Sequence, residues 1–243
     1  MHRLLIKDRY YSNLKSKRGV ASVRHLITAW LLGLCGVGCS SIPFQRVAYV
    51  PVDAVQPAAV REEFALSLPL KFQLINTIVF QYGRQAISAI GYTAVDTCEK
   101  VFTVAGLNPM GVKLFELSGD ANNVECRFAI KQFTQRGNFA RAVADDIRRI
   151  YFDRIPGPEA EVYKKKYKII FRQPTEAGIM EYVFGGIDNV LIEKRYYDGD
   201  RRVWSVSYYE YCREKGKLYP AGIILTHHEY RYQLIVRLKE IRS

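Results

Sequence analysis

From Phe72 onward, apolar and polar residues alternate with a period of two, the period at which successive side chains of an extended chain face opposite ways. Phe72, Leu74, Ile78, Phe80 and Tyr82 share one face, interrupted by Asn76. The cleanest alternation sets Val124, Cys126, Phe128 and Ile130 against Asn123, Glu125, Arg127 and Lys131. Further strands are predicted over 85–92, 100–105, 112–118, 167–172, 178–184, 189–197, 202–211, 222–227 and 231–240. In the last of these Tyr232, Leu234, Val236 and Leu238 oppose Gln233, Arg237 and Lys239. The links are short and carry turn chemistry: Tyr82-Gly83-Arg84, Ser118-Gly119-Asp120, Gly185-Gly186 and Asp198-Gly199-Asp200. Such spacing predicts consecutive antiparallel strands in a meander that curls or closes.

One segment breaks this rhythm. Asn138 is placed to cap a helix running to about Phe152, with Phe139, Val143, Ile147 and Ile150 at helical spacing and Pro156-Gly157-Pro158 as its stop. A lone amphipathic helix inserted midway through a curled sheet has to lay its apolar stripe on the concave side of that sheet. It either plugs the core permanently or closes over an apolar cavity as a lid, with those four residues lining it. A short helix is also expected from Pro57 to Leu66, with Pro57 at its first position, after an extended tether from Ser40 to Gln56.

Composition sharpens the picture at the N-terminus. The chain has 243 residues, 49% of them hydrophobic, and 36 Lys and Arg against 24 Asp and Glu give a net charge of +12. Those values exclude a disordered tail, a collagen-like rod and a polytopic membrane protein. Arg3, Lys7, Arg9, Lys15, Lys17, Arg18 and Arg24 precede the apolar run Leu26–Gly38, which is too short to cross a hydrocarbon core of roughly 30 Å. A basic stretch, a short apolar stretch and small residues make an export signal, and the length of the basic part points to a translation start further down, near Val20. Gly36-Val37-Gly38-Cys39-Ser40-Ser41 resembles the lipobox of bacterial lipoproteins, with Gly36 standing where Leu is usual. That resemblance implies a diacylglycerol and palmitate-type acylation on Cys39, and Ser40 after it resembles an outer-membrane sorting signal. The expected organisation is a signal peptide over 1–38, a membrane-proximal tether over 39–56 and a folded domain over 57–243.

Candidate chemistry is sparse. Cys98, Cys126 and Cys212 are expected as small buried hydrophobes, although a Cys98–Cys126 bridge is conceivable after export. His227 and His228 are expected in an exposed hairpin turn, and Asp145-Asp146 as a cap or a solvent-facing pair. No nucleophile motif, phosphate-cradling loop or zinc spacing is present in the sequence, so no enzymatic activity, metal or cofactor is expected. The interleaved tyrosines and basic residues fit strand pairing, and export argues against nucleic acid as a partner. Lys164-Lys165-Lys166 and Arg201-Arg202 read as solvated faces.

Leu107-Asn108-Pro109-Met110-Gly111 before a strand, a lid-like helix, a Trp204-centred hairpin and Pro220-Ala221-Gly222-Ile223 in the final pair together resemble the LolA/LolB lipoprotein-localisation superfamily. The likeness is greatest to LolB-like outer-membrane lipoproteins often found with aryl-polyene gene clusters. It spans about Phe64 to Ile241. The resemblance implies a mainly β fold, a half-open antiparallel β-barrel of about eleven strands with an α-helical lid, holding acyl chains in its hollow. It further implies that Met110, between Pro109 and Gly111, protrudes to deliver cargo into the membrane or to meet a partner. The expected protein is lipid-anchored at the outer membrane, faces the periplasm and binds lipid or lipoprotein acyl chains, as a carrier or as the acceptor for a periplasmic carrier. The alternative is a structural or interaction lipoprotein with a packed interior.

Overall fold

The computed structural model describes residues 42–242 apart from Arg136. Residues from Phe44 onward form a compact unit of their own. In chain order its elements are α1 (Pro57–Ser67), β1 (Lys71–Tyr82), β2 (Gln85–Asp96), β3 (Val101–Leu107), β4 (Lys113–Gly119), β5 (Val124–Ala129), the single-turn α2 (Lys131–Thr134) and α3 (Phe139–Tyr151). Then follow β6 (Glu161–Lys165), β7 (Lys168–Thr175), β8 (Gly178–Gly185), β9 (Val190–Asp198), β10 (Arg201–Glu214), β11 (Lys217–His227) and β12 (Tyr232–Arg242).

All twelve strands make one antiparallel sheet in the order β5-β4-β3-β2-β1-β12-β11-β10-β9-β8-β7-β6. The expected half-open barrel is therefore present, with one strand more than the alternation predicts. The extra strand, β6, is an edge strand exposed at every position, so neither face imposes a hydrophobic period on Glu161-Val-Tyr-Lys-Lys165. The first and last strands pair at the centre of the sheet, from Tyr82↔Tyr232 to Gln73↔Arg242. The free edges are β5 and β6, and residues 130–160 join them. A connection between the two edges of a curled sheet has to cross its open side, which is why α3 lies over the concave face.

Inward-facing side chains of both halves form a continuous core with the two helices. Phe72, Leu74, Val95, Phe102, Val104 and Leu117 come from the first half; Phe171, Phe184, Leu191, Val206, Tyr208 and Leu225 come from the second. α1 starts at Pro57, as predicted, and packs Phe64 edge-on against Phe184 and Tyr211. The β4–β5 register shifts between Glu116 and Leu117, so Phe115 faces Ala129 and Phe128 turns outward, 43% exposed. That bulge overturns the inward place the alternation assigns to Phe128.

The segment expected as a free tether is docked from Phe44 onward. Phe44 stacks on Tyr209 at 5.3 Å and lies so close over Gly222 that a Cβ there would strike its ring. Gln45 N–H donates to Glu210 Oε1 at 2.8 Å, and Val52, 1% exposed, donates its N–H to the Lys166 carbonyl at 3.1 Å.

Candidate functional site

α3 begins where the sequence predicts. The Asn138 side chain accepts from Arg141 N–H at 3.1 Å, satisfying one of the donors a helix start leaves open. Ile147 and Ile150 are buried against the sheet, while Phe139 and Val143 are half-buried at the rim of the same core. Phe139 stacks on Phe133 at 4.6 Å and meets Phe115 edge-on at 5.2 Å. The four residues of the predicted stripe thus share one face of α3, and side chains of the sheet fill the space beneath them.

Polar contacts hold the same helix to both halves of the sheet. Arg148 Nε donates to the Asp120 carbonyl at 2.8 Å and its Nη2 to the Asn123 carbonyl at 2.7 Å, tying α3 to the β4–β5 turn. Asp146 accepts from the Tyr232 hydroxyl at 2.7 Å and from Arg149 at 2.8 Å. Burial lifts the Asp146 carboxyl to about 6, against the lowering effect of Tyr232 and Arg149. The expected solvent-facing or capping place for Asp146 is thereby corrected: it is 8% exposed and anchors the helix to β12. At the C-terminus of the helix the Tyr208 hydroxyl donates to the Ile150 carbonyl at 2.7 Å. Lys194 Nζ donates to the carbonyls of Arg149 and Phe152 at 3.0 and 2.8 Å. A cation there suits the negative end of the helix dipole. Lys194 is 1% exposed, and burial pushes its ammonium down to about 7, with Asp153 opposing and Arg154 adding to the shift.

The Met110 turn joins β3 to β4 at the end of the sheet where β1 and β12 meet Tyr82 and Tyr232. Asn108 Oδ1 accepts from both Met110 N–H at 3.0 Å and Val112 N–H at 2.9 Å, and Gly111 adopts φ +83. This scaffold leaves the Met110 side chain 84% exposed and Val112 56% exposed.

Other predicted residues fall elsewhere. Cys39, Ser40 and the whole export signal lie outside the described residues. Cys98 and Cys126 are free and exposed, in the β2–β3 turn and on the edge strand β5, so the buried place expected for them is corrected. His227 is not in an exposed turn: it ends β11, is 2% exposed, and stacks between Tyr230 and Tyr232 at 4.5 and 5.2 Å. His228 is exposed and lies 3.3 Å from Ser205 Oγ, a pair that sequence reasoning missed because the two are 23 residues apart. A cleft of about 900 Å³ runs across the Asp96, Ser118 and Arg242 ends of β1–β5. Its polar side chains Lys71, Gln73, Thr103, Ser118 and Glu125 alternate with the core-facing Phe72, Phe102 and Val124, which places most of it on the outer face of the sheet; at one end it reaches the Asp120–Asn123 turn that Arg148 of α3 clamps. Among the described residues no three of His, Cys, Asp and Glu are grouped to hold a metal.

Residues 77–240 match the model of a family described as protein of unknown function (DUF3261). The chain belongs to the DUF3261 family. A search of curated proteins finds no significant match for this DUF3261 chain. Among solved structures it is similar to a LolA superfamily protein from Nitrosomonas europaea, at a TM-score of 0.53 and 10% identity, over 77% of this chain and 93% of that one. It is more loosely similar to an outer membrane lipoprotein-sorting protein domain from Vibrio parahaemolyticus, at a TM-score of 0.49 and 9% identity over 76% and 90% of the two chains. At such identities the likeness concerns the fold: this DUF3261 domain has a LolA-like half-barrel.

Proposed function

We propose that this protein is an envelope lipoprotein, anchored to the outer membrane through acylated Cys39, that binds acyl chains or another apolar lipid beneath α3 as a carrier or acceptor in lipid or lipoprotein localisation. The observation that carries the proposal is the crossing of the open side of the half-barrel by one amphipathic helix. α3 is held by polar contacts over its last two turns and by a stripe of aliphatic and aromatic side chains along its length. Such a helix can lift as a unit, and the surface exposed beneath it is mostly apolar. The LolA-like fold supports the reading, as does the exposed Met110 turn, whose flexible thioether suits contact with lipid or with a periplasmic carrier protein.

The chemistry is non-covalent: cargo enters as α3 lifts, is shielded from water, and leaves toward the membrane. Dense packing of Ile147 and Ile150 favours one competing reading, an interaction lipoprotein with a permanently filled interior. A photoactivatable acyl probe separates the two. Adducts mapped to core-facing residues such as Leu74 and Tyr232 are expected. Labelling confined to the outer face, or none, would refute cargo binding under α3.

A further inference from the structure

The interior beneath α3 holds two buried cations. Arg154, in the loop after α3, is 5% exposed and Lys194 on β9 is 1% exposed. The Arg154 guanidinium lies 5.9 Å over the Phe72 ring, and its charge acts on Tyr151, Tyr208, Tyr211 and Tyr219 as well as on Lys194. These groups therefore form one cluster under the end of the helix. Among the described residues neither cation has a carboxylate oxygen within 4.0 Å; Lys194 is answered by main-chain carbonyls, by the Trp204 ring at 6.0 Å and by the more distant charge of Asp153. The nearest acids are committed elsewhere. Asp153 turns outward, 63% exposed, and pairs with Lys100 at 2.9 Å, while Asp146 is held by Tyr232 and Arg149. On β1, the side chain of buried Asn76 faces the Tyr151 hydroxyl, a further donor in the same cluster.

A buried cation without a counter-ion costs several kcal/mol, and folded proteins ordinarily relieve it with an acid or with water. Here no carboxylate lies within 4.0 Å of either charge among the described residues, and the walls around them are the rings of Phe72, Tyr151 and Phe152. That combination matches a molecule with a negative head and an apolar tail. We infer that Arg154 and Lys194 form an anion-recognition site that takes the carboxylate or phosphate head of an acyl-bearing amphiphile. The inference rests on the carrier reading above and narrows its cargo to anionic lipids. Arg154 supplies the fixed charge and a planar fork of donors for two oxygens; Lys194 supplies a second charge once it exchanges the α3 carbonyls for the ligand.

The test is calorimetric titration of the soluble unit from Phe44 onward with palmitate, hexadecyl phosphate, hexadecanol and inorganic phosphate. Palmitate and hexadecyl phosphate are expected to bind at least about tenfold more tightly than hexadecanol, the cost of leaving the cluster unanswered. Arg154→Gln should bring the affinities for palmitate and hexadecyl phosphate down to that for hexadecanol, and Arg154→Lys should keep part of the preference; circular dichroism checks that each variant is folded. Equal affinity for all three amphiphiles, which requires no variant to observe, would overturn the anion site and leave the carrier reading standing. Inorganic phosphate binding as tightly as hexadecyl phosphate would overturn the claim that the ligand carries an acyl chain. Binding of none of the four would overturn both.

Discussion

The Lys194 ammonium lies 2.8 Å from the Phe152 carbonyl oxygen, so a side chain from the centre of β9 closes the helix that bridges the half-barrel. This contact joins the two halves of the molecule in one latch. β9 belongs to the strands that follow α3, whereas the Arg148 clamp on the same helix reaches the strands that precede it.

The latch makes stability depend on pH. Burial holds the Lys194 ammonium at about 7 in the fold, below the 10.5 of the free side chain. Between those values the unfolded chain binds a proton that the folded one has released, so stability rises with pH in that window and is lost as pH falls through about 7. The slope reaches ~1.4 kcal/mol per pH unit for one proton. Thermal unfolding should show that rise in the wild type and a flatter profile in Lys194→Met. Parallel profiles would contradict the burial of a titrating lysine.

Met110 tests delivery without disturbing the fold. Its side chain is 84% exposed, so Met110→Glu should change stability by no more than about 0.5 kcal/mol. Transfer of a bound fluorescent acyl probe to vesicles should nevertheless fall several-fold. Asn108→Ala, which removes the acceptor for two backbone N–H groups, should slow transfer by loosening the turn and cost ~1 kcal/mol. Unchanged transfer in Met110→Glu would remove the residue from the mechanism.

Docking of the N-terminal segment depends on the missing side chain of Gly222. Gly222→Leu should expel Phe44 from its place over β11 and forfeit roughly 1.5–3 kcal/mol of aromatic burial. Limited proteolysis should then cut at Arg46 well before the sheet is attacked. Equal resistance in variant and wild type would show that Phe44 does not hold the segment down.

The proposed lipid anchor has its own readout. Cells grown with labelled palmitate should incorporate label into the wild type, and Cys39→Ser should abolish it and release the protein from the outer-membrane fraction. Persistent labelling of the variant would refute Cys39 as the acylated residue.

Much of this architecture is legible in the residues themselves. The period of two marks β1 and β12 because one side of each faces the core, and Asn138 marks the start of α3 because a helix start needs an acceptor there. Legibility fails where that one-sided burial fails. β6 is wet on both faces, and the beginning of β11, Lys217-Leu-Tyr-Pro-Ala221, is buried or half-buried at every residue, so neither shows alternation. A bulge opposite Glu116 reverses Phe128, which no local pattern announces. Lys194 sits inside Glu193-Lys194-Arg195, a run that reads as surface. Only the register Tyr182↔Lys194 and Val206↔Lys194 turns it inward, beside the end of a helix more than forty residues away in sequence. The candidate site is a tertiary object, and its cations become visible only when the sheet has curled around them.

The central claim is that the half-barrel opens under α3 to hold a lipid. Native mass spectrometry of the soluble unit from Phe44 onward, purified gently and mixed with envelope lipid extract, tests it most directly. An added mass in the lipid range that detergent displaces is expected. A single unliganded mass under every condition would contradict it and assign the packed interior a permanent structural role.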